Sequence, residues 1–225
     1  MRKKQAERLF RKFVLPEMPQ GWIAKDNLLL WTPVKHVCRA VRITSSNYSK
    51  EGFDVSLVAL ALYVPIDGLW YGIGDRLDSP LEYWDLGDFD EDQVGAALLE
   101  VCKNVALPFL RKVDTPSKFA RTAIPMPGSD NENIMRQIAG GLIFEGSYAE
   151  ADKWLARAVE IFELPREQMF RTESDFEELR RIKDLRKRLA KDPRSAIPKL
   201  MEYERFTVEK CGHSQYYEPT EHDEG

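Results

Sequence analysis

The sequence predicts an α+β fold, in which an antiparallel sheet of about four strands packs with helices and is followed by an all-helical C-terminal part. Three observations lead to this prediction. Short apolar runs separated by turn-forming residues fill residues 22–65, a pattern typical of strands. An apolar stripe with helical spacing follows in residues 91–112. From residue 131 onward the periodicity is helical almost to the C-terminus.

An amphipathic helix is predicted over residues 1–14, where apolar side chains recur at helical spacing and bases fill the other faces. Pro16 ends it, because proline has no backbone N–H and clashes with the preceding turn. The basic face is interpreted as a solvated helix face, and contact with an anionic surface is the alternative.

Four strands are predicted next. The runs 22–24 and 28–31 flank Lys25-Asp26-Asn27, residues suited to a hairpin turn. Residues 36–44 form a half-buried strand, and residues 53–65 become apolar on both faces, as expected for a covered strand. Because short turns join these segments, we expect an antiparallel meander.

Residues 66–88 are rich in glycine, aspartate and aromatic residues and predict an ordered loop. Gly72-Ile73-Gly74 lacks the third glycine of a dinucleotide fingerprint, so phosphate binding is disfavoured. The acids at 88, 90 and 92 alternate as in a calcium loop, but the glycine and glutamate of an EF-hand are absent at Gln93 and Leu99. The interpretation preferred here is that Asp90 caps the next helix, with Gln93 as its capping-box partner.

The helix over residues 91–112 is predicted to cover one face of the sheet. It continues or kinks near Pro108. Its apolar stripe consists of Val94, Ala97, Leu98, Val101 and Val105.

A helical hairpin is predicted over residues 134–165, with Gly146 at its turn and small residues along both helices. The positions of Ala139, Gly146, Tyr148, Ala151 and Ala158 resemble one tetratricopeptide unit, in which small residues allow close helix approach. The next 34 residues keep none of these small residues, so no array of repeats is predicted. A structural hairpin is favoured over a peptide-binding groove.

The predicted domain organisation has four parts. They are an α+β domain at 1–114, a proline-containing linker at 115–130, a helical region at 131–210 and a flexible tail at 211–225. The helical region continues with helices over 173–191 and 195–210. The first of these begins with acids and ends with bases, which complements the helix dipole.

Composition excludes several kinds of function. The net charge of −4 provides no global field for nucleic acid, so such a partner is disfavoured. Three widely spaced cysteines without a CxxC motif predict neither disulfides nor a metal site, and no cofactor is predicted. The N-terminus lacks a signal-peptide core, and the longest apolar run, 55–64, is too short to span a membrane. We therefore expect a cytoplasmic protein.

Catalytic residues are hard to find in this sequence. Of the three histidines, His213 and His222 lie in or near the predicted tail. His36 could pair with the thiol of Cys38, but a strand-start histidine and a buried thiol are the preferred interpretation. The sequence leans towards a non-catalytic protein without refuting an enzyme.

The stretches LWYGIGDRL, residues 69–77, and YWDL, residues 83–86, precede the long helix. Together with the predicted order of elements, they resemble a bacterial family of uncharacterised α+β domains over residues 5–113. The family carries a basic residue before Ile-Gly and a tryptophan pair, where this sequence has Tyr71-Gly72 and Tyr83-Trp84. Some members lie beside toxin genes as candidate immunity proteins, so the resemblance implies binding and no catalytic residues.

The predicted partner surface combines loop aromatics with the following acids: Trp70, Tyr71, Trp84, Asp85, Asp88 and Asp92. Exposed rings supply apolar contact area, and carboxylates steer a basic partner. The sequence thus favours a protein-binding module, of immunity or regulatory type, that occludes a basic protein. The alternative interpretation is that these aromatics plug the open end of the sheet.

Two other functions stay open from the sequence. One is a small enzyme or ligand-binding domain with a pocket near His36, Arg39 and Arg42. The other is a structural scaffold that assembles through its C-terminal helices.

Overall fold

The computed structural model describes residues 3–47, 49–66, 72–164 and 172–220. The chain forms two compact units. The sheet unit comprises Met1–Leu60, Gly72–Lys112 and Gln215–Gly225, and the helical unit comprises Ala61–Tyr71 and Val113–Ser214. The predicted α+β class, with an antiparallel sheet followed by an all-helical C-terminal part, is confirmed.

The sheet is a five-stranded meander in the order β1-β2-β3-β4-β5. Its strands are β1 Trp22–Lys25, β2 Leu28–Trp31, β3 Val37–Ser45, β4 Phe53–Ala61 and β5 Arg76–Leu77. The predicted first hairpin is confirmed, with Trp22 opposite Trp31 and Lys25 opposite Leu28. Asp26 in its turn has a positive φ of 54°, a conformation that aspartate tolerates better than most residues. The short strand β5 lies within the segment predicted to be a loop.

The N-terminal helix α1, Lys3–Leu9, continues through a π-helical turn at Phe10–Val14 and a 3-10 turn at Leu15–Glu17. Its apolar face is buried, as predicted. Phe13 lies directly over Gly95, where a Cβ atom would stand 2.2 Å from the Phe13 Cγ. The N-terminal helix therefore packs with its Phe13 ring directly against the backbone of the second helical segment of the unit.

The second helical segment consists of α2, Glu91–Val101, a π-helical turn at Cys102–Ala106, and α3, Leu107–Lys112. The predicted capping box between Asp90 and Gln93 is confirmed. The stripe prediction is wrong at Val105, which is 48% exposed. The wider π turn adds a residue to the helix, so Ala106 takes the buried place instead.

The helical unit contains α4 Pro116–Ala123, α5 Glu132–Glu145, α6 Tyr148–Glu163, α7 Glu173–Lys191 and α8 Ala196–Lys210. Gly146 joins α5 to α6 with a φ of 84°, so the predicted hairpin turn is confirmed. Ala151 and Ala158 are fully buried, as expected for residues at a close helix approach. Gly140 and Gly141 in α5 accommodate the ring of Tyr63 and the carbonyl of Pro116.

Two of the predicted boundaries are wrong. The predicted linker contains α4, because Thr115 caps the helix and Pro116 stands at its first turn, where a missing N–H costs nothing. The predicted tail is structured as far as residue 220. Its Tyr217 bridges Val34, and the Val34 N–H donates to the Tyr216 carbonyl over 2.8 Å.

One helical segment, Glu91–Lys112, reaches the length and apolar composition of a membrane span, with a mean hydropathy of 1.2 over its best window. Half of that window is buried inside the protein. Core helices of folded units pass the same test, so this segment is weak evidence for membrane insertion.

Candidate functional site

Trp84, a member of the predicted partner surface, lies inside the sheet unit. It is 4% exposed, its indole N–H donates to the Leu77 carbonyl over 2.9 Å, and its ring lies 5.7 Å from that of Phe53. The Phe53 N–H in turn donates to the Trp84 carbonyl over 3.0 Å. The expectation of an exposed ring is wrong for this residue, because these contacts fix it against β4 and β5.

Asp85 is also buried and serves the loop rather than a surface. One carboxylate oxygen accepts from the Ser49 hydroxyl over 2.7 Å, and the other accepts from the Gly87 N–H over 2.6 Å. These hydrogen bonds, the one from Ser49 above all, hold the pKa of Asp85 below its usual value. The carboxylate therefore ties the loop to the chain before β4, and little of it is accessible to a partner.

Asp88, by contrast, is exposed and lies beside two aromatic rings that the site prediction omitted. The Tyr83 hydroxyl donates to Asp88 over 2.9 Å, and the Tyr83 and Phe89 ring centroids lie 5.4 Å apart. Tyr83 is 45% exposed, and its hydrogen bond to Asp88 raises its pKa. We call Glu82, Tyr83, Asp88 and Phe89 the acidic aromatic patch.

Asp92 belongs to a different contact. Asp92 stands in the first turn of α2, and its carboxylate forms an ion pair with the Lys12 ammonium over 3.0 Å. Lys12 also forms an ion pair with Glu91 over 3.4 Å. The Asp92 hydrogen bond raises the pKa of Lys12. Asp92 thus joins the basic face of the N-terminal helix to α2, while its side chain stays largely accessible.

The segment of the chain that carries the acidic aromatic patch is rich in acids. Residues 75–92 contain eight carboxylates and a single base, Arg76, in a chain whose net charge is only −4. Arg76 is itself ion-paired with Asp54 over 2.5 Å. Trp70 and Tyr71 of the predicted surface lie outside the described residues.

The two arginines of the alternative pocket do not share a face of the sheet. Arg39 and Arg42 are an odd number of residues apart on β3, so they project from opposite faces of the sheet. Arg39 stacks on the Trp31 ring at 4.0 Å and donates to the Leu110 carbonyl over 3.4 Å. His36 Nε2 lies 2.6 Å from the Thr220 hydroxyl. Burial lowers the pKa of Arg42.

Two of the three cysteines are buried thiols, in agreement with the interpretation of the sequence. Cys38 and Cys102 are buried, and burial raises the pKa of Cys102 to about 12. Such a thiol is protonated and a poor nucleophile at neutral pH. Within residues 3–47, 49–66, 72–164 and 172–220, no three histidine, cysteine or acidic side chains converge as metal ligands.

Comparison with known proteins gives no relative: no family model, no curated protein and no solved structure matches this chain. The candidate site is therefore defined by geometry and charge alone.

Proposed function

We propose that this protein is a non-catalytic protein-binding module that covers a basic surface of a partner protein with its acidic aromatic patch. The observation that carries the proposal is the Tyr83 ring, 45% exposed within a segment of eight carboxylates. Exposed tyrosines with a fixed orientation are frequent anchors of protein interfaces, because they bury a large area at a small cost in side-chain entropy.

The local structure supports this use of the patch. The hydrogen bond to Asp88 and the neighbouring Phe89 ring restrict the Tyr83 side chain before any partner arrives. The loop beneath is fastened by Trp84 and Asp85. A preorganised surface loses less conformational entropy on binding.

The charge of the segment defines the class of partner. Carboxylates concentrated around an apolar centre accelerate encounter with a cationic surface and disfavour acidic partners. An inhibitor of a cationic enzyme has this requirement. We therefore propose an immunity or regulatory type of function, in which the patch occludes the partner.

Affinity capture from the native host tests this function. The wild-type chain should retain a specific basic protein, and Tyr83→Ser and Asp88→Lys should each weaken its binding by roughly tenfold or more, as for central interface residues. Raising the salt concentration should slow association, because steering between exposed charges is screened.

Two control variants carry equivalent changes outside the patch. Val105→Ser removes another exposed apolar side chain of the sheet unit, and Asp130→Lys reverses an exposed acid of the helical unit. Both should bind as the wild type does. Recovery of the same partner in equal amounts by all five folded proteins would show that the patch is not the binding surface.

A further inference from the structure

Helix α7 carries a charged stripe on its solvent side. Its members are spaced alternately four and three residues apart, which places them on one helix face. Five are exposed and Asp184 is half-buried. The charged stripe consists of Glu173, Glu177, Arg180, Asp184, Lys187 and Lys191.

The order of charges along this stripe has a particular symmetry. Read from the N-terminus, the signs are negative, negative, positive, negative, positive, positive. Suppose that a second α7 runs antiparallel to the first and that the two helices are centred on each other at the level of Ile182 along the helix axis. Every acid of the charged stripe then faces a base of the other copy. The three facing pairs are Glu173 with Lys191, Glu177 with Lys187, and Arg180 with Asp184, and twofold symmetry forms each pair twice.

The opposite side of α7 is firmly attached within the helical unit. Ile182, Leu185 and Leu189 are buried. The buried Arg136 of α5 forms an ion pair with the half-buried Glu178, and Arg186 pairs with Asp152 of α6 over 2.7 Å. The helix therefore displays its charged stripe as a rigid surface.

The ion pairs within the chain leave much of the stripe available. Glu177 pairs with Arg181, and Asp184 pairs with Arg188 over 2.7 Å, both along α7. In the described part of the chain, no carboxylate lies within ion-pair distance of Arg180 or Lys187. A second molecule can supply these partners.

Apolar area is present at the same place. Phe176, next to Glu177 and one helical turn before Arg180, is 46% exposed. A groove of about 570 Å³ between α7 and α8 includes Glu177, Arg180 and Asp184 in its wall, and Phe206, 40% exposed, lines it from α8. Exposed charge pairs alone contribute little, so this apolar area is needed for a stable contact.

We propose that α7 pairs antiparallel with α7 of a second copy of this chain, forming a twofold dimer through the charged stripe. A second copy is favoured over an unrelated protein because the stripe is complementary to itself in this one arrangement. The acid-rich segment 75–92 has no such property, since a surface of one sign repels its own copy. The dimer is independent of the function proposed for the acidic aromatic patch.

Sedimentation velocity of the full chain, over a range of concentrations and at low salt, tests the pairing. The wild type should move from a mass of 26.0 kDa towards twice that value as its concentration rises. Glu177→Lys and Lys187→Glu should each raise the dimer dissociation constant by about tenfold or more, because one substitution places like charges together at two symmetric contacts.

Mixing the two variants provides the decisive measurement. Glu177→Lys and Lys187→Glu each place like charges together in their own dimers. In a mixed dimer, one contact joins the two substituted residues with their charges exchanged, and the other contact keeps the original Glu177 and Lys187. The mixture should therefore dimerise as the wild type does, and so should the double variant. Arg194→Glu, a change of the same kind at an exposed residue outside the stripe, is the matched control.

Several results would overturn the proposal. A wild-type chain that stays at 26.0 kDa at every concentration forms no such dimer. A dimer weakened equally by Arg194→Glu, or not restored by mixing the two variants, uses another surface. Binding of adenosine monophosphate to a monomeric wild type, lost in Phe206→Ser, would assign the groove to an anionic aromatic ligand instead.

Discussion

Replacing Gly140 by alanine should destabilise the helical unit, although alanine is the better helix former. A Cβ atom at this position would lie 2.5 Å from two ring atoms of Tyr63, about 1 Å closer than ordinary contact. Tyr63 is fully buried, its hydroxyl donates to the Gln137 carbonyl over 3.1 Å, and the Phe144 ring lies 5.2 Å away. The hydrogen bond and the neighbouring ring therefore hold the Tyr63 side chain in place and oppose its displacement.

Two opposing contributions set the size of the effect. Glycine to alanine in a helix gains about 1 kcal/mol, whereas overpacking a filled core costs about 1–3 kcal/mol. The difference is a net loss of about 0–2 kcal/mol in the free energy of unfolding. We expect Gly140→Ala to lie in the upper half of this range, because the overlap involves a rigid ring.

Urea denaturation followed by circular dichroism measures this loss of stability. Repeating the Gly140→Ala substitution in a Tyr63→Leu protein tests whether the Tyr63 ring causes the loss. In a Tyr63→Leu chain the ring atoms are gone, so Gly140→Ala should be neutral or stabilise by up to about 1 kcal/mol. A Gly140→Ala protein as stable as the wild type, or an equal loss in both backgrounds, would refute the steric explanation.

Three further predictions concern stability. Ala158→Leu should cost about 1–3 kcal/mol by overpacking the hairpin, whereas Glu160→Leu on the exposed side of the same helix should not, and urea midpoints compare the two. Leu98→Ala should cost about 2–5 kcal/mol, because its side chain is fully buried; an unchanged midpoint would show that α2 does not pack as described. Asp85→Asn should cost about 1–3 kcal/mol at pH 7. Because the pKa of Asp85 is lowered on folding, its stabilisation is present above the unfolded value near 3.8 and disappears as the pH falls through the lower folded value. Unfolding curves of both proteins should therefore converge at acid pH, and a difference that persists there would contradict the role given to this carboxylate.

Features that depend on neighbouring residues could be predicted from the sequence. The capping box of Asp90 and Gln93, the first hairpin and the αL turn at Gly146 are all confirmed. In each case the interacting backbone groups lie within a few residues, so the pattern contains the information. The start of helix α4 is also visible in the sequence, because Thr115-Pro116 is a common helix start, but the three prolines within residues 115–130 favour a linker.

Features that depend on distant contacts could not be predicted. The sequence indicated an acidic, aromatic segment, but not that Trp84 would be buried while Tyr83 faces solvent. Their orientations follow from hydrogen bonds between the loop and residues before or within β4 and β5, such as that from Ser49 to Asp85. The composition shows which aromatic and acidic residues are present, but it does not show which of them become buried when the chain folds.

The same division holds for the helical unit. The sequence by itself determined that α7 has acids first and bases last, and that small residues line the α5–α6 hairpin. Only the tertiary structure decided that Gly140 must leave room for Tyr63, and that α7 turns its charged stripe to solvent while Ile182 faces inward. The physical reason is that helix periodicity fixes which residues share a face, whereas packing among helices distant in sequence selects the face that is buried.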